Sequence, residues 1–297
     1  MRIPLLPLTI VLVVLAGLVL LMSQPETRLA PVWAIAAGAA ADTAAEPASN
    51  LSGVAELQPT AAAPTFTIAE GNRPYVPILM YHYVRYVDKG SDPLGFSLSV
   101  TPEQLTAQLD WLQRNGYETV RMDVVGACIG GAGPCPARAV ALTFDDGYMD
   151  AYTTALPLLQ RYGFTATFYI VSDFVGRPGY MGWNELAALR DAGMEIGAHS
   201  VSHPDLTTLD LNGLRDQVGR SRDVLAANLG IPIVSFCYPG GKFNDTVAAV
   251  TQESGFLSAT TTMQEGPQND LFRLPRLRIY GDMSQPGFEA SIRAYMP

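Results

Sequence analysis

From about Pro74 to the C-terminus, short apolar runs alternate with amphipathic stretches, and this alternation constrains the fold more than any other feature. Strand-like runs are Tyr75 to Val84, Glu118 to Val125, Ala139 to Phe144, Ala166 to Val171, Met194 to Ala198, Val234 to Tyr238, Leu257 to Thr261 and Leu274 to Tyr280. A helix starts at Thr101-Pro102-Glu103, an N-cap residue followed by Pro at the first helical position. Leu105, Leu109 and Leu112 mark its inner face, and Asn115-Gly116 ends it. Further helices are expected at Ala151 to Tyr162, Trp183 to Ala192, Leu211 to Leu229, Asp245 to Glu253 and Phe288 to Tyr295. Repeated strand–helix alternation implies a parallel sheet covered by helices, and the number of units points to a closed or nearly closed β/α barrel. A doubly wound open sheet is the second reading. No G-x-G-x-x-G follows the early strands, which speaks against a nucleotide partner.

The N-terminus differs in texture. Between Ile3 and Met22 there is no charge, and the run is rich in Leu, Val and Ile. That is about the 20 residues a helix needs to cross a bilayer. Residues 1–22 therefore read as a signal anchor or signal peptide, and the small-residue stretch Ala34 to Ala40 could host a cleavage site. Residues 23–70, rich in Ala, Pro, Thr and Ser, read as a flexible linker, and residues 71–297 as the folded domain. The expected location is outside the cytoplasmic membrane: anchored to it and facing outward, or secreted or periplasmic after cleavage. Cys128 and Cys135 flank a Gly- and Pro-rich loop, and in an oxidising compartment they would form either a small disulfide loop or two free thiols. Cys237 reads as an ordinary buried thiol. The net charge is −9 and no Lys/Arg-rich run stands out, which disfavours nucleic acid.

Polar clusters fall at strand ends, where barrels build sites. Thr143-Phe144-Asp145-Asp146-Gly147 places two carboxylates after an apolar strand. Adjacent residues of an extended chain face opposite sides, so one carboxylate can hold a metal while the other handles a proton. Asp-Asp-Gly is also a common turn. His199-Ser200-Val201-Ser202-His203 follows another strand and uses two of only three histidines in the chain. Together the two motifs supply two histidines and an aspartate, a three-ligand set with positions left for water and substrate, the pattern of a catalytic metal site. Phe236-Cys237-Tyr238-Pro239-Gly240-Gly241 runs a strand into a turn whose free N–H groups could face an oxyanion.

These three motifs, in this order, resemble the polysaccharide deacetylases of carbohydrate esterase family 4. The resemblance covers about Pro74 to the C-terminus. It implies a distorted (β/α) barrel of seven to eight units, a divalent metal, most often Zn2+ (with Co2+ or Ni2+ as alternatives), and removal of N-acetyl groups from a polysaccharide. Asp146, His199 and His203 match the metal ligands and Asp145 the catalytic base. Gly240 falls near the oxyanion-stabilising N–H, and Tyr148 and Tyr238 flank the substrate cleft. Two departures stand out. No Arg opens the third motif to steady the base; Arg276 or Arg278 could reach in from another strand, with Arg276 preferred. No His follows His203; His82, at the end of the first strand, which neighbours the last strand in a barrel, could take the place of the general acid or be a satisfied core histidine. Similar placement of the acid His on the N-terminal side marks the biofilm poly-N-acetylglucosamine deacetylases. O-acetyl esters and a catalytically silent carbohydrate-binding protein are the alternatives on the same fold.

Overall fold

The computed structural model describes residues 75–295. The segments expected at residues 1–22 and 23–70 lie outside the described residues. No helix among the described residues is long and apolar enough to cross a membrane. The strands are β1 (Ile78–Tyr81), β2 (Tyr83–Val84), β3 (Ser99–Val100), β4 (Glu118–Val120), β5 (Ala139–Phe144), β6 (Thr167–Ile170), β7 (Glu195–Ala198), β8 (Ser235–Cys237), β9 (Ser258–Thr260) and β10 (Leu277–Arg278). The helices are α1 (Pro93–Ser97), α2 (Pro102–Arg114), α3 (Met122–Ile129), α4 (Leu156–Tyr162), α5 (Trp183–Asp191), α6 (Leu211–Arg215), α7 (Ser221–Leu229), α8 (Asp245–Glu253) and α9 (Gln285–Arg293).

The main sheet is parallel and runs β10-β1-β5-β6-β7-β8-β9, with β4 also pairing with β5. From β5 to β9 the order follows the chain. A doubly wound sheet would reverse direction at a switch point, so that second reading is ruled out. Thr260 of β9 also bridges Leu274, shortly before β10, which brings the two ends of the sheet near each other. The result is a distorted β/α barrel built on seven parallel strands.

Side chains alternate across the pleat, and two apolar clusters divide along that line. Leu142, Phe144, Phe168, Ile196 and Phe236 pack outward against Leu105, Leu109 and other helix residues. Ile78, Ala141, Tyr169 and Cys237 belong to a second, inner cluster. The same period places Thr143, Thr167, Glu195 and Ser235, all buried, on the inner face. Glu195 is satisfied there: it accepts from Thr167 Oγ1 at 2.8 Å, Ser235 Oγ at 2.7 Å and the Asp123 N–H at 3.0 Å. Gly197 is required by this interior. A Cβ there would meet the Tyr169 ring at 2.6 Å and Ser235 Oγ at 2.7 Å. Gly197→Ala is expected to destabilise the protein by about 1–3 kcal/mol through overpacking, read as a fall in the urea midpoint.

Some expectations are corrected. The strand expected from Glu118 to Val125 stops at Val120, and α3 begins at Met122. Met122, Val125, Gly126 and Ile129 share one helical face and are buried, so the 3.6-residue period prevails over the β-branched valines. The run from Tyr75 to Val84 is broken at His82. The stretch Leu211 to Leu229 is helical throughout, with a π-helical turn at Asp216–Arg220 between α6 and α7. Strand β3 and helix α1 have no counterpart in the sequence pattern. Cys128 and Cys135 are disulfide-bonded, with Cα atoms 5.1 Å apart.

Candidate active site

The strand ends of β1, β5, β7 and β8, with the approach to β10, deliver one constellation. Asp145 continues the alternation of β5 and points inward, 3% exposed. Arg276, 1% exposed, grips it in a bidentate pair: Nη1 donates to Oδ1 and Nη2 to Oδ2, both at 2.8 Å. Burial pushes the Asp145 carboxyl up, but the guanidinium more than offsets this and holds it well below the usual carboxylate range. Arg276 is itself anchored, donating from Nε to the Thr261 carbonyl at 2.9 Å and from Nη1 to Thr143 Oγ1 at 3.0 Å. Arg278 lies on β10, is partly exposed, and lines an outer groove instead. The preference for Arg276 thus matches where the structure puts a guanidinium.

The next residue turns the chain. Asp146 has φ 74°, and the rule that neighbours in a strand face opposite sides ends there. His203 and Ser200 are also left-handed, at φ 62° and 63°. Non-glycine residues rarely adopt this region, and such strain concentrates at functional sites. Its outcome is convergence: His199 Nε2 and His203 Nε2 each lie 3.5 Å from Asp146 Oδ1. Ser200 Oγ accepts from the His203 N–H at 2.9 Å and fixes the turn.

The donor set fits a divalent ion. One atom from each of Asp146, His199 and His203 lies within 4.8 Å of the others. His199 Nδ1 meets the Cys237 carbonyl at 2.6 Å. A carbonyl only accepts, so Nδ1 carries the proton and Nε2 presents its lone pair to the site, the usual outer-shell arrangement of a metal-binding histidine. Burial pushes His199 down, but Cys237, Asp146 and Asp145 more than offset it and hold its pKa well above the ordinary value. Asp145, His199 and Cys237 also cluster. There the Arg276 guanidinium, bonded to both Asp145 and Cys237, already supplies the cation.

His82 sits in the break between β1 and β2. Its Nε2 is 3.8 Å from Asp145 Oδ2, and its Nδ1 is buried without a hydrogen-bond partner among the described residues. Burial pushes the imidazole below its ordinary pKa, and Asp145 and Asp146 only partly compensate. Gly240, φ 59°, lies in the turn Pro239–Gly241 and lines a cavity of about 190 Å³ together with His203, Pro204, Asp205 and Lys242. Tyr148 is partly buried, with its hydroxyl 3.2 Å from Tyr83 Oη and its ring stacked on Tyr180 at 4.8 Å.

Tyr238 is a correction. Its side chain is fully buried, stacked on Phe243, and its hydroxyl donates to the Phe272 carbonyl at 3.0 Å. Its N–H is spent on Thr260 O. Tyr238 faces the outer core because the alternation of β8 sends Cys237 inward and Tyr238 outward. Sequence reasoning missed Cys237, Thr143 and Thr261 as partners of Arg276. The signal available was parity: Thr143 and Asp145 share one strand face.

A family model described as Polysaccharide deacetylase matches residues 132–259. The deacetylase PplD of Streptococcus pyogenes, solved in complex with acetate, superposes with a TM-score of 0.69 at 25% identity, covering 73% of this chain and 97% of that one. Protein YxkH of Bacillus subtilis (strain 168) is 26% identical over 74% of this chain and 76% of its own length. The poly-beta-1,6-N-acetyl-D-glucosamine N-deacetylase of Staphylococcus epidermidis is 24% identical over 73% of this chain and 82% of its own. Residues 132–259 thus match the polysaccharide deacetylase family, and the chain is similar to proteins named as such deacetylases over about three quarters of its length. Asp145, Asp146, His199, His203 and Gly240 fall inside the span matched by the family model, whereas His82 and Arg276 lie outside it.

Proposed function

We propose that this protein hydrolyses N-acetyl groups of an N-acetylglucosamine-containing polysaccharide, outside the cytoplasmic membrane. One observation carries the reading: an ionised, arginine-clamped carboxylate, Asp145, stands beside a two-histidine, one-carboxylate ligand set at the strand ends of a barrel. The poly-N-acetylglucosamine relative, matched over 82% of its length, supports the amino-sugar polymer as substrate. The disulfide supports an oxidising compartment. The segment at residues 1–22 would anchor the protein to the membrane or be cleaved.

Asp146, His199 and His203 would hold the metal, with Zn2+ the best match to two imidazoles and a carboxylate. A divalent ion held there supplies Lewis acidity, making water nucleophilic near neutral pH. Asp145 takes the proton of the attacking water, and Arg276 keeps that carboxylate ionised and aimed. The N–H of Gly240 supports the developing charge on the carbonyl oxygen. The amine is a poor leaving group until protonated, and His82 delivers that proton to the nitrogen. Water adds to the acyl carbon, the C–N bond breaks, and acetate and a free amine result. Tyr148 forms one wall of the cleft with Tyr83 and Tyr180.

The test is acetate release from N-acetylglucosamine oligomers by the purified protein, with zinc, with chelator, and with chain length followed in parallel. Chelator-sensitive acetate release without chain shortening is expected. Shortened chains, or no acetate from a zinc-loaded protein, would sink the reading.

A further inference from the structure

Arg276 is a charged group buried beneath the site, and its five N–H groups can be accounted for one by one. Nε donates to Thr261 O at 2.9 Å. Nη1 serves Asp145 Oδ1 at 2.8 Å and Thr143 Oγ1 at 3.0 Å. Nη2 serves Asp145 Oδ2 at 2.8 Å, and its other proton meets Cys237 Sγ at 3.1 Å. The same sulfur is 3.7 Å from Asp145 Oδ2. Cys237 is fully buried and is the free cysteine among the described residues. Its backbone carbonyl holds His199 Nδ1. One residue therefore touches both halves of the site, the metal half through its main chain and the base half through its sulfur.

We infer that Cys237 is a positioning residue whose sulfur completes the hydrogen bonding of Arg276 and thereby holds the Asp145 carboxylate in its reactive orientation. A buried thiol that merely filled space would accept no hydrogen bond; this sulfur accepts the last guanidinium proton. Without it, a buried charged donor is left unsatisfied, and the guanidinium can regain a partner only by rotating, which turns the carboxylate with it. The sulfur acts on the base side alone, because the contact to His199 is made by the main chain.

The inference rests on the deacetylase reading, and the experiment separates the two. Acetate release and zinc affinity are measured for the wild type, Cys237→Ala, Cys237→Ser and Thr143→Val. No release by the zinc-loaded wild type would sink the deacetylase reading itself. Given an active wild type, Cys237→Ala is expected to lose roughly ten- to hundred-fold in kcat, with KM and zinc affinity unchanged. Cys237→Ser, whose hydroxyl accepts the same proton, is expected to turn over roughly tenfold faster than the alanine variant. Wild-type kcat in Cys237→Ala, a parallel loss of zinc affinity, or no recovery by serine would each overturn it. If the alanine variant does not fold, Thr143→Val decides, since it removes another acceptor of the same guanidinium. It should lower kcat at unchanged zinc affinity, and a wild-type rate there overturns the inference.

Discussion

Replacing Arg276 by methionine is expected to destabilise the protein by about 3–5 kcal/mol, because removal of one partner strands a buried charge. Asp145 and Arg276 are 3% and 1% exposed, and neither has water to fall back on. The same change should cut kcat by about a hundredfold or more, since the carboxylate loses both bonds that aim it. The pH dependence of stability should also change sign. In the wild type the folded pKa of Asp145 lies below the ordinary carboxylate range. Its contribution is therefore fully present above that range and lost as pH falls through the folded pKa. In Arg276→Met the guanidinium is gone, and burial, the largest influence, is opposed only by His82 and His199, so the folded pKa rises. That variant should gain stability as pH falls through the raised folded pKa toward the ordinary carboxylate range, where the wild-type Asp145 contribution stays flat. Urea midpoints across pH, read in chelator, test this. The double variant Asp145→Asn/Arg276→Met should be less destabilised than the sum of its parts, because two neutral groups leave no stranded charge. A singly substituted Arg276→Met with wild-type midpoint and rate would show that the pair neither stabilises nor orients.

The second large effect is a separation of metal binding from turnover between neighbouring residues. Asp145→Asn is expected to lose about 10²–10⁴ in kcat, the span of a missing general base, while zinc affinity holds. Replacing His199 or His203 by alanine is expected to cost zinc affinity and activity together, because each removes one of three converging donors. Competition with a chelating dye measures the first quantity and acetate release the second. Equal loss of zinc affinity in the Asp145 and His203 variants would mean that both carboxylates ligate, contrary to the geometry. Asp145 is bonded to Arg276 while Asp146 faces both imidazoles at 3.5 Å.

Much of this architecture was legible in the residues. The strand–helix alternation pointed to a parallel barrel, because strands joined by helical crossovers pair side by side in parallel. The segments Thr143 to Gly147 and His199 to His203 are local: each carries its chemistry within five consecutive positions, so spacing alone announces it. The span matched by the family model covers these same segments.

The rest depends on closure of the sheet. Thr143 and Arg276 are 133 positions apart, and Asp145 and His82 are 63 apart; only the pairing of β1 with both β5 and β10 brings them together. No periodicity in one segment reports which strand lies beside another. Tyr238 and Cys237 show the same limit on a smaller scale. Side by side in the sequence, one reads as a substrate contact and the other as filler. The pleat of β8 sends the tyrosine into the outer core and the sulfur onto Arg276. Residue types and their local order thus determined the kind of chemistry and the kind of fold. Which arginine clamps Asp145, which histidine faces it and which thiol touches the clamp were decided only when the strands took their places around the barrel, because hydrogen bonds and charge pairing in a buried site depend on distance in space and not along the chain.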